Sequence, residues 1–181
     1  MNLIFASDLD NLIGVNGGLP WKQKADLARF KRLTSERHDG VSMPILVMGR
    51  KTRETLPKTG LPGRYLVTIS GKFGDDYKCC NVNNQCMMGP KAAIEFLKDE
   101  IAFDNDKSIW VIGGTRVFDM LVPLVNTIYR TKIHSRHSFA INSAYWEVPL
   151  FQFKCVDQSN LFPADEDNEF PYQYEKYVRM T

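Results

Sequence analysis

Asp26 lies within residues 25–34, a stretch whose apolar spacing predicts a helix. At about 100° per residue, with Asp26 as origin, Phe30 falls at about 40°, Leu27 at about 100° and Leu33 at about 340°. The carboxylate therefore shares an arc with three large apolar side chains, while Ala28, Lys31 and Arg32 take the other side and Arg29 stands at the edge, at about 300°. An acid in a first turn ordinarily complements the helix dipole. That explains the sign of the charge but not the face. A carboxylate on a buried arc is costly unless something answers it. Its placement points to a cationic or hydrogen-bond-donating ligand.

Two further segments suit an anion. Gly49-Arg50-Lys51-Thr52 follows the apolar run Ile45-Leu46-Val47-Met48 and opens a short helix, where backbone N–H groups and two cations would favour negative charge. Gly113-Gly114 ends a second apolar strand and leads into a helix at Thr115; glycines there let a ligand approach the backbone closely. Either segment alone also reads as an ordinary solvated turn. The pair, both at the carboxyl ends of strands in an open α/β sheet, is harder to dismiss. The sequence contains no GxGxxG, and no glycine precedes Gly49-Arg50-Lys51-Thr52 at the spacing a P-loop requires.

The elements that must position these residues alternate. Strands are predicted over residues 3–6, 45–48, 65–69, 78–82, 109–112 and 127–133, with helices over 25–34, 52–56, 89–101 and 115–121 and a glycine-containing loop over 12–18. Residues 151–156 and 172–178 alternate as antiparallel strands around an acidic loop at Asp165-Glu166-Asp167. The expectation is α/β, with a mixed, mainly parallel sheet and a C-terminal antiparallel hairpin. The chain has 181 residues, of which 44% are hydrophobic and 12% aromatic, enough for one well-filled domain. Interspersed charges, 23 basic against 21 acidic for a net +2, argue against a nucleic-acid or membrane partner. Acids near the N-terminus and the lack of a long apolar run suggest a cytosolic protein. Cys79, Cys80, Cys86 and Cys155 are expected to be reduced, and with His38, His134 and His137 they lack the spacing of a metal site.

Read in order, Leu3-Ile4 with Ala6, Ile13-Gly14, Leu19-Pro20-Trp21, Asp26-Leu27, Phe30-Lys31, Met48-Gly49-Arg50 with Thr52, Leu61-Pro62-Gly63-Arg64, Ile112-Gly113-Gly114 and Thr131 make up an ordered set over residues 3–133. This set resembles the dihydrofolate reductase family. The resemblance implies a three-layer α/β sandwich formed by residues 1–181 as a single domain, with an adenosine-binding subdomain over about 45–110. It implies a monomer that uses NADPH to reduce 7,8-dihydrofolate to 5,6,7,8-tetrahydrofolate. By the same resemblance, Asp26, Trp21 and Thr131 are catalytic, with Asp26 holding the pterin and supporting protonation at N5 while hydride reaches C6.

The resemblance further implies that Ile4, Phe5, Ala6, Leu27, Phe30, Lys31, Leu56, Leu61, Ile112 and Phe118 line the substrate, with Arg64 clamping the glutamate α-carboxylate. Ala6, Ile13, Gly14, Gly18 and Leu19 fall on the nicotinamide side of the cofactor. Gly49, Arg50, Lys51, Thr52, Gly113, Gly114, Thr115, Arg116 and Val117 fall along its phosphates, with Lys51 on the 2′-phosphate and Ile69 and Ser70 near the adenosine. Residues 16–21 resemble a mobile loop that excludes water from the nicotinamide. Four features depart from the pattern, one of them a connection from Glu36 to Met43 that is longer than in compact members. Phe118 replaces a frequent tyrosine, Arg53 a common aromatic, and Asn142 is the nearest polar candidate for an acid that usually pairs with the mobile loop. The competing expectations are a pyrimidine reductase of riboflavin synthesis, which Asp26 together with Arg64 disfavours, and a non-catalytic folate- or nucleotide-binding module.

Overall fold

The computed structural model describes residues 1–36, 43–81, 83–103, 108–137 and 141–180. Its elements run β1 (Asn2–Ser7), β2 (Leu12–Val15), α1 (Lys24–Ser35), β3 (Ile45–Gly49), α2 (Arg50–Glu54), β4 (Tyr65–Ile69), β5 (Lys78–Asn81) and β6 (Gln85–Met88). They continue with α3 (Pro90–Phe103), β7 (Ile109–Gly113), α4 (Thr115–Leu121), β8 (Thr127–Ile133), β9 (Ser143–Tyr145), β10 (Phe153–Gln158) and β11 (Tyr172–Arg179). The chain divides into two compact units, one of Arg32–Leu124 with Met1, the other of Asn2–Lys31 with Val125–Thr181.

In the first unit the strands lie in the order β7-β3-β4-β6-β5. β3 runs parallel to both β4 and β7, and β4 parallel to β6. Ile45, Leu46, Val47 and Met48 are all buried, as a central strand covered on both faces requires. α2 begins directly at Arg50 after β3, and α4 at Thr115 after the Gly114 cap, so both helices start immediately beyond strand ends. On α3, Ala93 and Leu97 are buried at a spacing of one helical turn.

The second unit carries the order β10-β11-β8-β1, with β1 and β8 parallel and the C-terminal strands antiparallel. The fold is mixed α/β, mainly parallel, with a C-terminal antiparallel pair, as expected. One face of β1, β8 and β11 buries Ser7, Arg130 and Glu175. There Arg130 donates to Ser7 Oγ, Asp8 O and Asn11 Oδ1 and lies 3.6 Å from Glu175 Oε2. This network pins the turn that leads from β1 into β2.

Several local expectations are corrected. Part of the 12–18 loop is β2, paired with β9, a partner too distant in sequence for local periodicity to reveal. The short helix spans residues 50–54 rather than 52–56, which places Arg50 and Lys51 inside it and Leu56 beyond it. The 78–82 strand is observed as β5, with Val82 outside the described residues, and β6, which sequence patterning missed, pairs antiparallel with it. That pairing sets Cys80 opposite Cys86, and the two form a disulfide; the expectation of four reduced thiols considered only the adjacent pair Cys79-Cys80. Cys79 and Cys155 are free and exposed. The penultimate strand runs over residues 153–158, two positions later than expected. Residues 37–42, His38 among them, lie outside the described residues.

Candidate active site

In the second unit the site is built on the first turn of α1, whose backbone donors need acceptors. The acidic loop between β10 and β11 supplies them. The N–H of Lys24 donates to Asp167 O and that of Ala25 to Asn168 Oδ1. Asn168, itself buried, is held by donating through Nδ2 to both Asp165 oxygens. Gln23 bridges to the backbone of Phe170 through both ends of its amide. Sequence reasoning treated this loop as a connection only. The Asp165 to Asn168 spacing was the available signal for a self-bonded turn.

Asp26 is half-buried on this helix and accepts a hydrogen bond from the Thr131 side chain of β8. Burial pushes its carboxyl above the ordinary range, opposed first by the Thr131 bond and then by the charge of Arg29. Arg29 donates to Thr131 Oγ1 at 3.2 Å and to Arg130 O at 3.1 Å. Ala6 and Trp21 are buried in a cluster with Ile133 and Tyr172, against which Ala25, Phe170 and Tyr174 pack. Trp21 Nε1 is buried and has no acceptor among the described residues. The apolar arc of α1 is not covered by this unit: Leu27 is 57% exposed, and Phe30 is only half-buried. Ile4 is buried, and Lys31 is exposed at the end of the unit. Phe5 sets its ring edge-on against Trp146, with centroids 5.0 Å apart. Strand alternation puts Phe5 on the face opposite Ile4 and Ala6.

Ile13 and Gly14 lie on β2, and the turn beyond closes through reciprocal backbone bonds between Val15 and Gly18. A Cβ at Gly14 would come within 3.0 Å of Gly18 O, so the turn depends on glycine there. Asn16 donates its N–H to Asn142 O, and Asn142 Nδ2 donates to Asn16 Oδ1. Asn142 thus meets this loop through neutral hydrogen bonds. Leu19, farther along, is exposed.

In the first unit, α2 and α4 begin after Gly49 and Gly114, and neither glycine offers a side-chain cap to the helix N–H groups. Gly113 has φ +127°, and a Cβ there would stand 3.5 Å from Thr52 Oγ1 and 3.6 Å from Phe118 Cζ. A Cβ at Gly49 would stand 3.3 Å from Val117 Cγ2. The two strand ends therefore form one backbone-lined cradle that suits a pyrophosphate. Thr115 and Arg116 occupy the first turn of α4. Lys51 is exposed, and Arg50 pairs with Glu54 one turn on. Ser70, buried beyond Ile69, accepts from the N–H of Lys72. Arg53 is structural: it donates to the carbonyls of Leu56, Pro57 and Lys58 and to Gln85 Oε1.

Arg64 is buried, donating through Nε to Pro62 O and through Nη1 to Thr34 Oγ1. Among the described residues it has no acidic partner, and burial pushes its pKa below the ordinary arginine value. Leu56, Leu61 and Ile112 are half-buried and Phe118 fully buried. A buried guanidinium with donors unspent among the described residues fits an incoming carboxylate.

A family model for dihydrofolate reductase matches residues 1–179. A dihydrofolate reductase of Bacillus subtilis (strain 168) is 30% identical over 182 residues, covering 100% of this chain and 95% of the relative. One from Enterococcus faecium is 28% identical over 178 residues, covering 98% and 96%. A solved structure, dihydrofolate reductase from Enterococcus faecalis complexed with NADP(H) and RAB-propyl, aligns with a TM-score of 0.73 at 28% identity, covering 99% of this chain and 96% of that one. The chain belongs to the dihydrofolate reductase family. It is an NADPH-dependent oxidoreductase that reduces 7,8-dihydrofolate to 5,6,7,8-tetrahydrofolate.

Proposed function

We propose that Asp26 is the residue on which this reduction turns, with Thr131 and Trp21 completing the catalytic group. The observation that carries the reading is the Asp26 carboxyl, raised by burial yet hydrogen-bonded to Thr131. Such a group binds the donors of a pterin and keeps its proton to higher pH than an unperturbed carboxyl does. Trp21 offers its indole N–H to the bound substrate. Ile4, Ala6, Leu27 and Phe30 wall the ring system, and Arg64 takes the glutamate carboxylate. NADPH, when bound, supplies the hydride. The residues that hold it are Gly113, Gly114 and the start of α4 at the pyrophosphate, Arg50 and Thr52 along the phosphates, and Lys51 at the 2′-phosphate. Ile13 and Leu19 exclude water beside the nicotinamide.

The protein acts as a cytoplasmic monomer without a nucleic-acid or membrane partner. Interspersed charge and a net +2 support this reading. Against it, the Cys80–Cys86 disulfide favours an oxidising setting. The test of function is purified protein with NADPH, assayed for cofactor oxidation that depends on dihydrofolate.

The cofactor assignment carries its own prediction. Replacing Lys51 with Ala should weaken NADPH by about tenfold, the worth of one charged hydrogen bond of roughly 1.5 kcal/mol, and leave NADH nearly unchanged. Raised salt should narrow the wild-type gap between the two cofactors, because an exposed charge pair is screened. Michaelis constants for both cofactors decide it. An unchanged preference in Lys51→Ala would move the 2′-phosphate towards Ser70 and Lys72.

A further inference from the structure

We propose that Arg29 is a positioning residue for this reaction: its guanidinium orients the Thr131 hydroxyl onto Asp26, and its charge lowers the pH above which turnover declines. The inference rests on Asp26 as the proton-handling group. A guanidinium carries donors only. Arg29 Nη1, 3.2 Å from Thr131 Oγ1, must therefore donate to that oxygen, leaving the single hydroxyl hydrogen for the Asp26 carboxylate. The second bond from the same nitrogen, to Arg130 O at 3.1 Å, fixes the guanidinium against β8.

β11 supplies the rest of the support. Arg29 Cζ lies 4.2 Å from the ring centroid of Tyr174 and 5.9 Å from that of Tyr129. Tyr174 is the register partner of Thr131, and the Tyr174 hydroxyl contacts Ala25 O at 3.5 Å. The planar cation thus rests on an aromatic shelf formed by the strand that carries Thr131 and its neighbour, a geometry an ammonium does not reproduce. Sequence reading had placed Arg29 only at the edge of the apolar arc.

Other ionisable groups lie around this point, Tyr172 beside Tyr174 among them. From β11, Tyr174 has its phenol pushed up to about 12, by burial first, and stays neutral at working pH. Lys176 sits 5.6 Å over the Tyr129 ring. At the start of α1, Lys24 pairs with Asp167, and Glu169 accepts from the backbone N–H of Lys22. Of these cations, Arg29 is the one whose charge acts on the Asp26 carboxyl, where it favours the ionised form. Removing the charge makes Asp26 keep its proton to higher pH. A reaction that needs that proton then holds its rate to higher pH.

The test uses the full chain as Arg29→Gln, which keeps N–H donors without charge, and Arg29→Lys, which keeps charge without the planar fork. Two readouts are followed: the Asp26 carboxyl titration by carbon-13 NMR in the ligand-free protein, and the pH profile of kcat/KM for dihydrofolate at saturating NADPH. In Arg29→Gln both should move upward, the direction in which loss of an opposite charge acts on a carboxyl. Arg29→Lys, which keeps the charge but loses the fork that aims the Thr131 hydroxyl, should move both upward by less, and a Lys variant that overlies wild type would overturn the orienting clause. An Asp26 titration in Arg29→Gln that overlies wild type, or an equal displacement in Arg29→Lys, overturns the proposal. A carboxyl titration that moves while the activity profile stays fixed removes Asp26 from the proton step and overturns the pH clause with it, leaving only the orienting contact.

Discussion

Asp26→Asn is expected to cut dihydrofolate turnover about 10²–10⁴-fold at neutral pH, the usual worth of a positioned proton-handling group, with NADPH binding nearly unchanged. The substitution keeps the size of the side chain and most of its hydrogen bonding, so Thr131 retains a partner while the titrating proton is lost. Stability should move the other way. The folded carboxyl has a raised pKa, so the native state holds this proton more tightly than the unfolded chain does. The wild-type penalty is absent below the unfolded pKa, grows as pH rises towards the folded pKa, and is complete above it. At neutral pH the Asn variant should therefore melt higher than wild type, and the difference should shrink on acidification. Turnover within a few-fold of the parent would remove Asp26 from the chemistry, whatever the melting curves show.

Arg64→Leu is expected to weaken dihydrofolate binding by roughly 1.5–3 kcal/mol, the range for hydrogen bonds to charged groups, which is about 10- to 150-fold in affinity. A pterin lacking the glutamate should bind the variant as well as it binds the parent. The expectation comes from a buried guanidinium whose hydrogen bonds among the described residues go to the Pro62 carbonyl and the Thr34 hydroxyl. Loss of those contacts costs some stability, which thermal melting measures separately. Equal losses for the truncated and full substrates would show that Arg64 only braces the turn at residues 61–63.

Much of the frame was legible because it depends on local chemistry. The run Ile45-Leu46-Val47-Met48 is buried as its composition dictates, and both glycine-ended junctions lie where a strand meets a helix. α4 and β8 occupy the expected residues. What escaped depends on partners far along the chain. β2 is four residues long, contains a glycine and exists through its pairing with β9, so its own sequence reads as a loop. Cys80 and Cys86 meet only because β5 and β6 form a hairpin that patterning did not detect. The capping of α1 by Asn168 spans more than 140 positions, beyond any local capping rule.

The apolar arc of α1 is the most instructive case. Periodicity placed Asp26 among large apolar side chains, but Leu27 is exposed and Thr34 is the fully buried side chain of the helix. An apolar stripe marks a surface that prefers to leave water; it does not specify whether protein or ligand covers it. Arg29 shows the complementary limit. Its edge position was correct by geometry, while its stacking on Tyr174 required knowing which strand lies beneath.

That Asp26 handles the proton in dihydrofolate reduction is tested most directly by the pH dependence of dihydrofolate-dependent NADPH oxidation, measured beside the titration of the Asp26 carboxyl. The rate should decline as pH rises through that raised carboxyl pKa, and the decline should vanish from the residual activity of Asp26→Asn. A wild-type rate that stays flat while Asp26 loses its proton, or the same decline persisting in Asp26→Asn, would contradict the assignment.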